Sequence, residues 1–232
     1  MIYRGACAAA LLAIACSAWG GRPLSVEDAS VVEDHGCQVE AWIDRSTEAT
    51  TGWIVPACNF FWNTEWQAGF ARSREGETRF SDAYLQGKTL WREATSETGW
   101  GFATVFGLTR KPLNEVHRGY DNPYALAVWT LSVGEAPLLV HGNLGWLRDR
   151  EASRDATAWG LAAEAPIAAT WAVMGEVFGE NTQRTYWRAG TRWTAVPHHL
   201  EFDLSLLSRT GARPSERLVS IGVSWQTGRL AR

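Results

Sequence analysis

From Gln38 to Gln226 the chain repeats one unit, about ten residues alternating apolar with polar or small, closed by a turn. The last copy shows it most cleanly. Val219, Ile221, Val223 and Trp225 fall on one face of a strand, with Ser220, Gly222 and Ser224 on the other. Successive side chains of a strand point to opposite faces, so every such segment has one apolar wall and one polar or small wall. Sustained over so much of a chain that opens on a secretory leader, this dyad repeat predicts a transmembrane β-barrel. Its apolar walls would meet lipid and its polar walls would enclose a lumen.

The leader comprises residues 1–20: Arg4, an apolar stretch through Ala15, then small residues before Gly21. The stretch is too short to span a bilayer as a helix, and no later segment offers about 18 uninterrupted apolar residues. Cleavage after Gly20, with Ala18 three residues before the cut, is preferred. The alternative is a loose lipoprotein box, Ala13-Ile14-Ala15-Cys16, which lacks the usual leucine and would leave Cys16 acylated. Either cut leaves Cys37 and Cys58 in the exported chain, and two cysteines in that compartment favour a disulfide over two free thiols. A metal site there would need more ligands than His35 alone.

Composition fits this reading. The 232 residues are 46% hydrophobic and 20% charged with a net charge of −3, so no basic surface argues for nucleic acid. A barrel hides its membrane character from average hydropathy because only alternate residues meet lipid. Fourteen tryptophans are far more than an ordinary enzyme of this length carries, and their amphipathic rings favour the membrane interface.

Residues 21–36 are acidic and unpatterned and read as a periplasmic lead. The barrel then occupies 37–226, followed by a short tail at 227–232. The expected strands are 38–45, 51–60, 65–74, 79–91, 99–109, 124–133, 137–148, 156–165, 171–179, 185–195, 199–208 and 216–226. This is an all-β, antiparallel up-and-down barrel of about 12 strands, within a range of 10–14, with no substantial helix. An even number suits a bacterial barrel with both termini in the periplasm. The connections at Phe61–Thr64, Gly134–Ala136, Pro166–Thr170 and Val196–His198 are short, whereas Arg110–Pro123 on the other side is long and polar. Arg92–Thr98 is longer than a periplasmic turn should be.

The hairpin turning at Pro197 and His198 fixes the parity. It sets Arg192 opposite Asp203 and Trp193 opposite Phe202, and opposed residues share a face. Tyr186, Arg188, Arg192, Glu201, Asp203 and Ser205 then point inward, while Trp187, Trp193, Phe202, Leu204 and Leu206 point to lipid. The same parity assigns Glu40, Glu65, Gln67, Asp82, Gln86, Lys88, His141, Asn143, Glu164 and Glu176 to the lumen. It assigns Trp66, Phe70, Leu85, Trp91, Phe106, Trp129, Val140, Leu144, Trp159, Trp171, Val173 and Val177 to the outside. Enclosed acids and bases must pair or hold water, since a lone buried charge is costly.

Several short stretches resemble a known group. Arg22-Pro23-Leu24-Ser25-Val26-Glu27-Asp28-Ala29, Cys37-Gln38-Val39-Glu40, Gln86-Gly87-Lys88-Thr89-Leu90, Asn143-Leu144-Gly145-Trp146 and Glu216-Arg217-Leu218-Val219-Ser220-Ile221-Gly222-Val223 are similar to outer-membrane barrels like the one encoded with the phenol meta-cleavage pathway. The resemblance implies a twelve-stranded type of barrel and passage of small compounds, hydrophobic or aromatic ones included. It brings no catalytic signature. Barrels of that class commonly end on an aromatic residue, whereas here Gln-Thr-Gly-Arg-Leu-Ala-Arg follows Trp225.

Enzyme signatures are absent from the sequence: no nucleophile elbow, no zincin motif and no phosphate-binding glycine loop. His198 and His199 are adjacent and would face opposite ways, which makes joint metal binding awkward. His141 reads as a satisfied lumen histidine. Glu164 and Glu176 could face each other and split their acidities in the manner of an acid–base pair. Lumen acids more often pair with bases, and Lys88, Arg188 and Arg192 are at hand.

The expected function is therefore that of a passive channel or lateral-diffusion pore in a Gram-negative outer membrane, with no cofactor. Glu40, Lys88, His141, Glu164, Glu176, Arg188, Arg192, Glu201 and Asp203 would line its lumen. Expected partners are outer-membrane lipids and lipopolysaccharide, the barrel-assembly machinery and an unidentified small molecule. Two other classes stay open, a small barrel enzyme acting on lipid or peptide at the cell surface and a soluble or lipid-anchored β-protein.

Overall fold

The computed structural model describes residues 22–95, 98–110, 122–133, 138–150 and 152–227. The leader with Cys16, most of the long connection after Arg110, the turn at 134–136 and the tail beyond Thr227 lie outside the described residues.

Twelve strands follow one another: β1 Cys37–Arg45, β2 Ala49–Phe61, β3 Thr64–Glu75, β4 Thr78–Arg92, β5 Trp100–Arg110, β6 Asn122–Val133, β7 Leu138–Asp149, β8 Arg154–Ala168, β9 Trp171–Glu180, β10 Tyr186–Val196, β11 Leu200–Arg209 and β12 Leu218–Gln226. Each pairs antiparallel with its neighbours in sequence, and β12 pairs back onto β1, so the sheet closes and leaves no edge. Among the described residues the one helical element is a 3-10 turn, Pro214–Glu216. The largest departure from the expected strand bounds is β8. It runs past Pro166 to Ala168, with a register shift between those two residues that absorbs a proline lacking an N–H donor.

The expected hairpin register holds: Arg192 pairs with Asp203 and Trp193 with Phe202. Outside, Ile43, Ile54, Phe70, Leu85, Phe106, Leu144, Leu161, Val173, Val177, Leu204, Val219 and Ile221 form an exposed apolar band. So much contiguous apolar surface is unsuited to water and suits the hydrocarbon of a bilayer. Near the end that carries Cys37, Trp62, Trp66, Trp91, Trp100, Trp171, Trp193 and Trp225 are exposed as a girdle. Trp171 stacks on Trp193 with centroids 6.2 Å apart, and Trp193 stacks on Phe202 at 5.7 Å. Two of the other tryptophans turn away from the lipid. Trp42 and Trp53 face inward and stack on each other at 5.5 Å.

Cys37 and Cys58 lie directly opposite each other on β1 and β2 and form a disulfide. The residues just before it correct the sequence reading. Of residues 21–36, expected as a periplasmic lead, residues 22–32 run through the barrel interior instead. Arg22, Leu24, Val26, Glu27, Ala29 and Val32 are all buried there. The physical reason lies in the lumen, whose acids outnumber its bases: backbone N–H groups and one guanidinium entering from the segment satisfy carboxylates that the strands alone leave short of donors.

Candidate functional site: an occupied lumen

The segment crosses the interior from the β11–β12 side to the β2–β3 side. Arg22 begins it. Its guanidinium contacts Asp203 Oδ1 at 2.7 Å, donates to Ser220 Oγ at 2.9 Å and lies over the Trp42 ring, 4.5 Å from the centroid. The Arg22 backbone N–H donates to Glu40 Oε1 at 3.2 Å. Arg188 then donates to the carbonyl of Pro23. The N–H groups of Ser25 and Val26 both donate to Glu176 Oε2, at 2.7 and 2.8 Å, while Arg188 Nε stands 3.4 Å from the other oxygen of that carboxylate.

At mid-segment the contacts are denser. Asn143 accepts from the Glu27 N–H at 2.7 Å and donates to the Glu27 carbonyl at 2.9 Å, so a side-chain amide stands in for a neighbouring strand. The Glu27 carboxylate, fully buried, takes Lys88 Nζ at 3.0 Å and Gln86 Nε2 at 3.0 Å. Gln86 in turn accepts from the Tyr124 hydroxyl at 2.7 Å. Lys88 also reaches Asp28 Oδ1 at 3.4 Å. Ala29 N–H donates to Thr130 Oγ1 at 2.8 Å, and that hydroxyl lies 2.9 Å from His141 Nδ1. Val32 closes the run, its N–H on Glu65 at 2.8 Å and its carbonyl accepting from Asn59 Nδ2 at 3.0 Å.

Ten of the strands thus hydrogen-bond to the segment through inward side chains: β1, β2, β3, β4, β6, β7, β9, β10, β11 and β12. The other two contact it by packing. Ala29 packs in one apolar cluster with Ala103 and Val105 of β5, and Val26 approaches Gly160 of β8 so closely that an added Cβ would lie 2.6 Å from it. Apolar side chains fill the rest, with Leu24 and Val26 against Met174, Phe178, Tyr186 and Leu207.

Every residue expected to line the lumen faces inward, in two groups. Glu40, Lys88, His141, Glu176, Arg188 and Asp203 are buried, and all but His141 touch the segment directly. Arg192, Glu164 and Glu201 form a separate, half-buried cluster toward the Cys37 end, where Arg192 pairs with Glu164 and approaches Glu201 at 3.4 Å. The face-to-face carboxylate pair that the sequence suggested is not made. Glu164 pairs in register with Met174 and Glu176 with Ala162, and each acid has its own arginine. His199 is exposed and contacts the Gln226 carbonyl at 3.1 Å, well away from this network. Among the described residues no group of three or more His, Cys, Asp or Glu could hold a metal.

Sequence reasoning missed the residues that enter from the segment, above all Arg22, Glu27 and Asp28. An available signal was the excess of acid over base among the inward positions, which calls for donors from elsewhere in the chain.

The closed, apolar-walled barrel with a charged interior has the fold of outer-membrane barrels that include porins and channels. It is similar to the KdgM porin solved in complex with disordered oligogalacturonate, at 7% identity and a TM-score of 0.62 over 81% of this chain and 98% of that one. It is also similar to an outer-membrane channel of Pseudomonas putida F1, at 11% identity and a TM-score of 0.61 over 86% and 98%. The NanC porin follows at 10% identity and 0.54 over 82% and 98%. Identities this low speak for the fold. No curated protein matches the chain. The chain belongs to the family described as uncharacterised conserved protein UCP029691, whose model matches residues 7–224.

Proposed function

We propose that this protein is an outer-membrane channel for small molecules whose lumen is set by its own N-terminal segment. The observation that carries this reading is the pairing of an apolar exterior with an interior in which ten strands grip residues 22–32 by hydrogen bonds. An apolar belt of this kind belongs in a bilayer, and a closed barrel in a Gram-negative cell belongs in the outer membrane. The fixed charges of the interior are Lys88, Arg188 and the Arg192–Glu164–Glu201 cluster, and selectivity of the channel would rest on them. The short motifs shared with barrels of the phenol meta-cleavage kind support small hydrophobic or aromatic compounds as cargo. Planar-bilayer recording tests this. The intact protein should give small conductance steps, and a variant lacking residues 22–32 should give larger ones. Equal conductance from both, with the barrel folded, overturns the reading.

A further inference from the structure

At the end of the barrel opposite Cys37, the outer wall carries a basic patch that the lumen reading does not use. Arg45, Thr50, Arg74 and Arg79 pair in one continuous row across β1 to β4. The next row toward the membrane centre is Ile43, Gly52, Arg72 and Ser81, and the one after it is Ala41, Ile54, Phe70, Ala83 and Arg110. Residues opposed in a row share a face, and Ile43, Ile54 and Phe70 are exposed, so all three rows look outward. Arg45, Arg72, Arg74 and Arg79 are exposed and form no ion pair among the described residues. Of the acids nearest in sequence, Asp44 and Glu75 occupy the alternate, inward positions, while Glu48 and Glu77 are exposed in the turns beyond the rows and outside the groove lining.

A groove of about 470 Å³ lies within these rows, lined by Gly52, Ile54, Phe70, Arg72, Ser81 and Arg110 and, from an inward-facing position, by the buried acid Asp82. Gly52 forms a dent in the wall, for a Cβ added there would meet nothing within 4 Å. Arg110 Nε, shielded from solvent, has no hydrogen-bond partner among the described residues.

Guanidinium groups above, an apolar floor below and a hydroxyl between them match one chemistry: a phosphorylated glycolipid with its acyl chains on Ile43, Ile54 and Phe70. Arginine's fork suits phosphate oxygens, and such groups placed just above a hydrocarbon belt are where a headgroup phosphate lies. We propose that this patch binds the phosphates of lipopolysaccharide, the outer-leaflet glycolipid, and thereby fixes the barrel's depth and neighbours in that leaflet. The proposal rests on the outer-membrane reading but not on conductance.

The test uses the full mature protein in detergent and native mass spectrometry with three probes: bis-phosphorylated lipid A, its dephosphorylated form and phosphatidylglycerol. The parent should bind bis-phosphorylated lipid A at least about tenfold more tightly than either of the others. The quadruple variant Arg45→Gln, Arg72→Gln, Arg74→Gln and Arg79→Gln should lose that preference. Arg148→Gln, which removes an outward arginine paired with Asp155 at 2.9 Å on a distant part of the wall, should keep it. Heat-modifiable migration checks that each variant is folded. A second variant, Gly52→Phe, fills the groove without touching charge and should weaken binding of the same probe. Equal affinity for the phosphorylated and dephosphorylated forms, or for phosphatidylglycerol, overturns the proposal. So does a folded quadruple variant that keeps the preference. Conductance of the quadruple variant should match the parent, so failure of this site and failure of the channel reading are separate results.

Discussion

Asn143 holds Glu27 by both backbone groups at once, accepting from its N–H at 2.7 Å and donating to its carbonyl at 2.9 Å across 116 residues of sequence. A residue buried in a lumen and outside any strand has no ladder to satisfy it, so one inward amide takes the place of a β-partner. The neighbouring Glu176 does the same for two consecutive N–H groups. Together they make an irregular segment part of the barrel's interior rather than a loose thread within it.

Asn143→Leu should therefore loosen the segment while leaving the barrel closed. The substitution strands one buried N–H and one buried carbonyl, each at about 1–3 kcal/mol. Hydrogen exchange of residues 24–29 should speed up by about tenfold or more, with exchange in β6 and β7 unchanged. Unaltered exchange in 24–29 would mean that Asn143 is not what holds it.

The strands and their parity were legible because they depend on local information. Arg192 faces Asp203 as expected, although the turn takes three residues, 197–199, and a register shift between Thr194 and Val196 restores the pairing that a two-residue turn at Pro197 and His198 would give. The cysteine bridge was legible from export and number. The occupancy of the lumen was not, because its contacts join a backbone without periodicity to side chains far away in sequence, such as Val26 to Glu176 and Ala29 to Thr130. Trp42 and Trp53 show a related limit. Their residue type pointed to the interface, while their parity, shared with Glu40 and Val55, put them inside, with Trp42 beneath Arg22.

Lys88 and Glu27 are more sharply testable. Both side chains are almost wholly buried and 3.0 Å apart. Lys88→Met leaves a buried carboxylate without its cation, a change that costs about 3–5 kcal/mol where a single partner is removed. The double variant Lys88→Met with Glu27→Gln removes both charges and should recover much of that loss. Urea unfolding followed by tryptophan fluorescence in detergent measures both. A double variant destabilised by the sum of the Lys88→Met and Glu27→Gln effects would show that the two charges act independently.

Gly222 gives the most economical test of the segment's seat, because it changes no charged group. A Cβ there would fall 2.4 Å from Asp203 Oδ2 and 2.6 Å from Arg22 Nη2, in the middle of the ion pair that anchors the start of the segment. Both atoms end side chains that are buried and already bonded, so neither can yield without giving up a partner. Gly222→Ala should thus act like Arg22→Ala, freeing the first residues of the segment and raising their hydrogen exchange while β11 and β12 remain paired. Gly142→Ala is the matched control. Its added Cβ would come no nearer than 4.0 Å to any atom, that of the Trp129 ring, and it should behave as the parent. If Gly222→Ala left exchange at Leu24 and Ser25 at the parent's rate, the Arg22–Asp203 contact would not be what seats the segment.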